Sequence, residues 1–507
     1  MKLLKQFLAI FILAAVATSC KKQLLDINTS PNDPTTVSAT PNLVLANALN
    51  VSANIYDDAT LGNNNFVWAG LWLGHISYSG NYAIATENIS YQLTNSFASG
   101  TFPNLYDNNE DYDFVEQKGV TLGNGFYRAI GMFMKAYNYQ TLVDLYNNVP
   151  YTQALKGTGV SNPAYDGGKA IYDDLSKKMD TAISLFKLAA SGNTAIQGDI
   201  MFSGNATSWY KLANTVKLRL LLRQSEVNGA AAKTQAAALT GGFLTANAGI
   251  NPGYVNSVGK RSPFFESNYN SAGAYSQDLY RAGQYGVNFY TAHNDPRLSR
   301  FYTATQAGLF KGNFFGDQGI PNSLTSTIGP GVLQAYNQPA ILMLASESYF
   351  LQAEAVLRGW IPGDPQALYQ SGVAASFTYV GANYPPVRNV ANTADSITYT
   401  PTTSALKYYT QPGDKQTTWS ATSSFAEQLA LIIRQKWASE TWINELEPYN
   451  DYRRLHLPAD VPLSTSPFST NIFPNRLRYP QRELDVNSAN VLAAGSDTPA
   501  TKVWWQP

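Results

Sequence analysis

The sequence predicts a mainly α-helical protein, in which a scaffold of helices carries long irregular loops and a few short strands. Two observations support this fold class. Apolar residues recur with helical periodicity in five separate segments, and long stretches rich in Gly, Asn, Ser and Tyr lie between them. Loops of that length are uncommon in compact domains unless they carry function. A strict 34-residue helical repeat with its signature residues is not visible, so periodicity alone does not identify a repeat protein.

The chain begins with the features of a secretory leader. Lys2 and Lys5 precede an apolar run at residues 7–16, which suits the hydrophobic region of a signal peptide and is far too short to span a bilayer. Small residues then precede Cys20, the only cysteine of the chain. This order resembles a bacterial lipobox, so we predict that residues 1–19 are a lipoprotein signal peptide and that Cys20 is acylated. Ordinary secretion with an incidental Cys20 is the alternative.

Residues 20–40 are predicted to form a lipid-anchored flexible tether, and residues 41–507 a single domain. The tether is polar and contains prolines, as expected of a linker that leads away from a membrane. No apolar stretch after residue 20 reaches the roughly 18 residues that a membrane helix needs. The mature protein is therefore expected to be soluble and held at a membrane by its lipid alone.

The five helical stripes follow one another along the predicted domain. Each consists of apolar residues spaced three or four apart, which places them on one face of a helix. The stripes cover residues 126–141, 171–190, 209–220, 350–357 and 425–437. The fourth ends before Gly359, and Asp364 followed by Pro365 is typical of an N-cap and the first residue of a further helix.

Four stretches between the stripes are predicted to be irregular: roughly 62–120, 240–340, 378–422 and 457–507. Most tyrosines of the second stretch are expected to pack their loops onto the scaffold. Near the end of the fourth stretch, Trp504 and Trp505 are expected to anchor the C-terminus rather than to bind a ligand.

An acidic cluster occurs in the first irregular stretch, with carboxylates at Asp107, Glu110, Asp111 and Asp113. Oxygen-rich loops can hold calcium, but this spacing lacks the order of a known calcium loop. We interpret the cluster as a solvated acidic turn.

Composition excludes several classes of protein. Without a cysteine beyond Cys20, the mature domain has no disulfide, catalytic thiol or thiolate metal site. His75, His293 and His456 lie far apart and lack the spacing of a zinc site, so we predict neither a metal nor a cofactor. Thirty-five basic residues balance 35 acidic ones, so no net field recruits nucleic acid.

Charged residues make up only 14% of the chain, against the ~25% usual in soluble proteins. Thirty-two residues are tyrosine. Neutral polar groups beside amphipathic rings suit the binding of neutral, hydroxyl-rich ligands. They also suit an ordinary tyrosine-rich extracellular surface, so composition only favours the binding interpretation.

The densest aromatic segment, residues 66–91, is the predicted binding site. Sugar rings present apolar C–H faces that pack on aromatic rings, and their hydroxyl groups need amide or hydroxyl partners nearby. We predict a shallow aromatic surface that binds glycan, with a second loop region approaching the first. Its residues are Trp72, Tyr78, Tyr82, the polar partner Asn81, and Tyr275 from the second region.

A buried aromatic stripe is the alternative for the start of this segment. Trp68, Trp72 and His75 have the spacing of one helix face, which would turn all three toward a core. Catalytic motifs give no further guidance, because the chain has neither a G-x-S-x-G elbow nor a P-loop. A catalytic pair of carboxylates, as in a glycoside hydrolase, stays an open alternative, because such a pair is defined by its spacing in the fold and not in the sequence.

Several blocks together resemble the SusD/RagB family, the surface glycan-binding lipoproteins of Bacteroidetes nutrient-uptake systems. The blocks include a Trp-x-x-x-Ala-Asn helix at Trp209, a Leu-x-Ala-Glu-Ala helix at Leu351, and a pair of arginines at Arg453 and Arg454. They occur in the family's order at residues 25–35, 127–151, 209–223, 349–355, 433–454 and 476–480.

The resemblance implies a single-domain fold of tetratricopeptide-like helix pairs with variable loops. It implies a non-catalytic lipoprotein of the outer membrane, facing the cell exterior. Such a protein captures oligosaccharides, or in some members peptides, and passes them to a TonB-dependent, SusC-like transporter. Tyr146, Pro150, Arg453 and the Ala-Glu-Ala helix would hold the scaffold together. A surface glycoside hydrolase, and a peptide-capture or structural lid component of the same transporter, are the alternatives.

Overall fold

The computed structural model describes residues 39–57, 66–317, 319–383, 400–420 and 422–507. In these residues the chain forms 18 α-helices and eight strands of two to four residues, which confirms the predicted fold class. Cys20 and almost all of the predicted tether lie outside the described residues. None of the described helices is both long enough and apolar enough to cross a membrane.

The helices begin in the N-terminal half with α1 to α8, which supply most of the scaffold. Their bounds are α1 Pro41–Tyr56, α2 Val67–Trp72, α3 Glu87–Ser90, α4 Thr101–Thr121, α5 Gly125–Tyr146, α6 Gly168–Gly192, α7 Ala206–Arg223 and α8 Ser225–Ala237.

The C-terminal half contains ten further helices, several of them short and set within the loops. Their bounds are α9 Pro263–Asn268, α10 Gln284–Ala292, α11 Leu298–Phe301, α12 Ala345–Leu357, α13 Pro365–Val380, α14 Pro401–Tyr408, α15 Phe425–Ser439, α16 Leu446–Leu455, α17 Gln481–Val486 and α18 Ser488–Ala493.

The strands form four separate antiparallel pairs: β1 with β5, β2 with β3, β4 with β8, and β6 with β7. Their bounds are β1 Ile76–Tyr78, β2 Val149–Pro150, β3 Tyr165–Asp166, β4 Ala248–Ile250, β5 Tyr280–Ala282, β6 Tyr302–Thr303, β7 Thr327–Ile328 and β8 Ala340–Met343. The pairs therefore join loops to each other and do not build a central sheet.

Successive helices pack against one another and form the scaffold. Helix α1 lies against α4, and the chain then continues through contacts of α4 with α5, α5 with α6, and α6 with α7. A short turn joins α4 to α5, in which Asn124 caps the second helix by accepting hydrogen bonds from the backbone N–H groups of Phe126 and Tyr127. A second group packs α12 against α13 and α15, and α12 also contacts α7.

Buried ion pairs join helix α16 to both helix groups. Arg223 of α7 donates to Glu447 of α16 with Nη2 2.7 Å from Oε2, and Lys436 of α15 lies 3.0 Å from Asp451 of α16. All four side chains are at most 4% exposed. Removing one partner of such a pair leaves an uncompensated buried charge, so these contacts strongly favour one arrangement of the helices.

The C-terminus is anchored as predicted. The indole N–H of Trp505, whose side chain is fully buried, donates to Asp144 Oδ1 at 2.8 Å. Arg453 donates to the backbone carbonyls of Asp144 and Asn475 at 2.7 and 2.6 Å, and its guanidinium lies 4.7 Å from the centre of the Trp505 ring. Arg453 therefore belongs to the scaffold, in agreement with the expectation for this block.

All five predicted stripes lie on helices, and Asp364 caps α13 by accepting from the backbone N–H of Gln366. The prediction of an irregular chain over residues 62–120 is wrong for its last part, which is helix α4. The acidic cluster (Asp107, Glu110, Asp111 and Asp113) therefore lies on a helix and not in a turn.

Helix α4 lacks a clear apolar stripe in the sequence because polar side chains occupy part of its buried face. Asn108 and Asn109 are at most 1% exposed. Asn108 donates to the carbonyl of Ala48, and Asn138 of α5 donates to both asparagines at 2.9 and 3.0 Å. The carboxylate of Asp113 pairs with Lys135. Among the described residues no group of three or more His, Cys, Asp or Glu side chains could hold a metal ion.

Candidate functional site

The two aromatic-rich loop regions meet at the antiparallel pair of β1 and β5. Tyr78 lies opposite Tyr280 in this ladder, and their ring centroids are 5.6 Å apart. One residue further, the backbone N–H of Ser79 donates to the carbonyl of Leu279 at 2.8 Å. Because the strands are antiparallel, the loop that follows β1 and the loop that precedes β5 leave the ladder at the same end.

A third loop, around residue 320, is fastened to the same end. The side-chain amide of Asn313 donates to the carbonyls of Tyr78 and Ile320 at 2.9 and 3.0 Å. Gly80 donates to the carbonyl of Ile320 at 2.9 Å. Asn313 is only 1% exposed, so these bonds form a fixed base from which the loop tips project.

Asn81 and Tyr82 project from this base toward solvent. Tyr82 is 42% exposed. The side-chain oxygen of Asn81 accepts hydrogen bonds from the backbone N–H of Asn322 at 2.6 Å and from the hydroxyl of Ser79 at 3.2 Å. These two bonds orient the side chain of Asn81. No described residue accepts a hydrogen bond from its NH₂ group, which can therefore donate to a ligand.

A second group of rings lies on the loop that leads to β5. Phe265 of α9 and Tyr269 stack face to face, with centroids 4.0 Å apart and planes within 5°. Tyr275 packs edge-on against Tyr269 at 5.9 Å and forms an isolated bridge with it, and Tyr336 packs edge-on against Phe265 at 6.4 Å. Tyr336 is 37% exposed, and the other three rings are half-buried, so part of this group faces solvent.

Burial keeps the hydroxyl group of Tyr275 neutral. It raises the pKa of Tyr275 to about 12, and Arg281 nearby only partly offsets that effect. A neutral phenol donates a hydrogen bond at any physiological pH. The rings and amides of this surface therefore offer apolar faces with neutral hydrogen-bonding groups, which suits a hydroxyl-rich, uncharged ligand.

The expectation that Trp72 contributes to an exposed surface is wrong. Its side chain is 1% exposed, and the whole of the short helix α2 is buried. Five rings surround the Trp72 indole at centroid distances of 4.6 to 5.9 Å: Trp68, Tyr91, Phe97, Tyr449 and Phe473. The alternative of a buried stripe holds for Trp68, Trp72 and His75, which are at most 5% exposed.

Tyr78 also differs from the expectation, because it is 6% exposed. Its pairing with Tyr280 places it in the base of the surface and not at its tip. Of the predicted residues, the structure thus leaves Asn81 and Tyr82 exposed on one loop and Tyr275 half-buried on the neighbouring one. A ligand role for these residues stays a prediction.

The stack of Phe265 and Tyr269 and the exposed Tyr336 were not among the predicted site residues. Phe265 and Tyr269 are four residues apart, which is the spacing of neighbours on a helix face and is the signal that could have paired them. The sequence carries no comparable signal for Tyr336, which is distant in the chain. In the fold, the backbone N–H of Ser262 donates to the carbonyl of Tyr336 at 2.7 Å and joins it to this group.

Residues 31–480 match the family model SusD-like, which is described as starch-binding and associating with the outer membrane. No sequence among the curated proteins matches the chain significantly.

Solved structures share the fold over nearly the whole chain. A nutrient-binding outer membrane protein of Bacteroides vulgatus is 24% identical, with a TM-score of 0.73 over 92% of this chain and 100% of its own. A chitin-binding protein is 25% identical, with a TM-score of 0.73 over 92% and 100%. A chitin-binding SusD homologue of Flavobacterium johnsoniae is 22% identical, with a TM-score of 0.72 over 91% and 98%.

Proposed function

The chain belongs to the SusD-like family of nutrient-binding outer membrane proteins, and we propose that it binds oligosaccharide at the surface around Tyr82 and delivers it to a transporter. In this proposal the protein is a lipoprotein anchored through Cys20. Its partner is a TonB-dependent, SusC-like β-barrel, and it catalyses no reaction itself.

One observation carries the binding proposal: the exposed ring of Tyr82 and the oriented amide of Asn81 project from a loop that is fastened to one end of the β1–β5 ladder. Tyr82 and Tyr336 supply exposed aromatic surface, and Asn81 supplies a donor held in place by its own oxygen. A fixed base reduces the conformational entropy that ligand binding would cost. Two of the structural neighbours are described as chitin-binding, which favours a neutral glycan as the ligand class.

The anchoring and transport proposals rest on the sequence. The leader with Cys20 resembles a lipobox, and the family is described as associating with the outer membrane. A protein tethered there by lipid through a polar linker would be able to reach a transporter in the same membrane.

A polysaccharide panel tests this function against its alternatives. Affinity electrophoresis of residues 21–507 through gels that contain starch, chitin fragments, xylan or other glycans reports binding, and a reducing-sugar assay on each hit reports hydrolysis. Retardation without new reducing ends is the expected result. New reducing ends would support a glycoside hydrolase instead, and absence of retardation across the panel would support a peptide-capture or structural component.

A further inference from the structure

A cavity of about 340 Å³ lies beside strand β6 and is not part of the surface around Tyr82. Its described walls come from three parts of the chain: residues between 299 and 304 together with Phe310, then Pro330, and then Gly381 and Asn383 just after α13. The volume falls within the ~300–1,000 Å³ of ordinary small-molecule sites. Among the described residues that line it none is acidic, and Arg300 is the only one with a charge.

Arg300 lacks a charged partner in the part of the chain that the structure describes. Its Nε donates to the carbonyl of Val380 at 2.6 Å, whereas no described residue accepts a hydrogen bond from Nη1 or Nη2. Burial lowers the pKa of Arg300, and no carboxylate of the described residues opposes that effect. Arg297, three residues earlier, does have a charged partner. It pairs with Asp295 at 2.7 Å and also donates to Gln435.

The surrounding backbone fixes the position of the Arg300 side chain. A Cβ on Gly331 would lie 2.7 Å from the Cβ of Arg300, so the chain passes there without room for a side chain. At Gly381, where φ is +67°, a Cβ would lie 3.5 Å from Nη2. With Nε held by Val380, the end of the guanidinium formed by Nη1 and Nη2 is the part left to bind another group.

We propose that this cavity is a subsite for the carboxylate of an acidic sugar residue, with Arg300 as its ligand-binding group. The two Nη atoms match the two oxygens of a carboxylate, and this bidentate arrangement is the one that arginine favours. Phe310 and Pro330 offer an apolar wall to a sugar ring, and Ser299 and Asn383 offer neutral partners for its hydroxyl groups.

The position of the cavity ties this subsite to the proposed function, on which it rests. Strand β6 pairs with β7, and the backbone N–H of Ala282 in β5 donates at 2.9 Å to the carbonyl of Ser326, the residue before β7. The cavity and the Tyr82 surface therefore belong to loops joined through β5. The pair of sites would suit a glycan whose neutral residues lie at the Tyr82 surface and whose uronic acid residue lies in the cavity.

Isothermal titration calorimetry with residues 21–507 tests the subsite. The probes are uronate oligosaccharides, namely trimers of galacturonate, glucuronate and mannuronate. Each is compared with its methyl ester, in which methyl groups replace the negative charges. For at least one acid we expect binding at least tenfold tighter than that of its ester, and weaker binding at high ionic strength. Equal binding of every acid and its ester would overturn the subsite, and this comparison needs no variant.

The variant Arg300→Gln tests whether Arg300 is the group that binds the carboxylate. We expect it to weaken binding of the preferred uronate at least tenfold and to leave the ester unchanged, with Arg300→Lys in between because an ammonium cannot form the fork. Arg482→Gln, at an exposed arginine on α17, is the matched control and should bind as the wild type does.

Uronate binding that survives in folded Arg300→Gln would contradict the proposal. So would binding of an acetylated Asp-containing tripeptide in preference to every uronate, because the carboxylate would then come from a peptide. If neutral glycans bind and no uronate is preferred, the subsite fails while the proposed function stands.

Discussion

Arg454 of α16 and Glu354 of α12 form a buried ion pair between residues that are 100 positions apart in the sequence. Nη2 donates to Oε2 at 2.8 Å and Nη1 to Oε1 at 2.5 Å, so the contact is bidentate. Arg358 donates to the same carboxylate at 2.8 Å, and Asp451 accepts from Arg454 at 2.9 Å. Because every member is paired, removing one partner would leave an uncompensated charge buried at this junction of the scaffold.

Breaking this pair from one side is predicted to destabilise the protein severely. Arg454→Met leaves Glu354 and Asp451 without their shared cation, and we expect the free energy of unfolding to fall by ~3–5 kcal/mol. The double variant with Glu354→Gln should lose less than the two single losses combined. Urea denaturation measures all three, and a loss below ~1 kcal/mol in Arg454→Met would show that the pair is not needed.

The same carboxylate is predicted to contribute to acid unfolding. Arg454 and Arg358 lower the pKa of Glu354 from 4.5 to about 2 in the folded protein. Its stabilisation is therefore fully present above pH 4.5 and is lost as the pH falls from 4.5 toward 2. The shift corresponds to about 3 kcal/mol. The stability difference between wild type and Glu354→Gln should shrink across that window, and a difference that stays constant would contradict the assigned pKa.

Trp72→Ala is predicted to damage folding rather than to remove a ligand contact. The indole fills the middle of a cluster of five rings, so truncation should cost ~3–5 kcal/mol of stability. Tyr82→Ala is the matched comparison at an exposed ring and should leave thermal stability within ~0.5 kcal/mol of the wild type. Thermal denaturation separates them, and equal stability of both variants would show that Trp72 is not a core residue.

Cys20→Ala is predicted to release the protein from membranes. Each buried CH₂ of an acyl chain contributes about 0.8 kcal/mol to anchoring, and two chains hold a protein stably. Fractionation of cells that express the wild type and the variant measures this effect. Cys20→Ala that still sediments with the membrane fraction would show that another element anchors the chain.

Hydrophobic periodicity predicted five helices, among them α5, α6 and α7, which carry apolar residues on their buried faces. It did not predict α4 or α16, because their buried faces carry asparagines in α4 and charged residues such as Glu447 and Arg454 in α16. These polar side chains find their partners only in the folded chain, so the spacing of apolar residues in the sequence does not indicate the two helices.

The sequence predicted which loop carries the candidate site, but not which of its residues are exposed. Aromatic density marked residues 66–91, but it could not separate Trp72, which is buried, from Tyr82, which is exposed. That distinction depends on the pairing of β1 with β5, and the partner strand lies about 200 residues away along the chain. The stack of Phe265 and Tyr269 depends in the same way on the fold of the second loop.

In the proposed function, glycan binds at the loop tips beside the β1–β5 ladder. Titration of the strongest binder in the polysaccharide panel with the wild type, Tyr82→Ala and Asn81→Ala tests it most directly. Phe425→Ala, at an exposed ring on α15, is the matched control. The account predicts at least tenfold weaker binding for Tyr82→Ala, a smaller loss for Asn81→Ala, an unchanged control, and equal melting temperatures. Unchanged affinity in both Tyr82→Ala and Asn81→Ala would contradict it and place the glycan elsewhere on the protein.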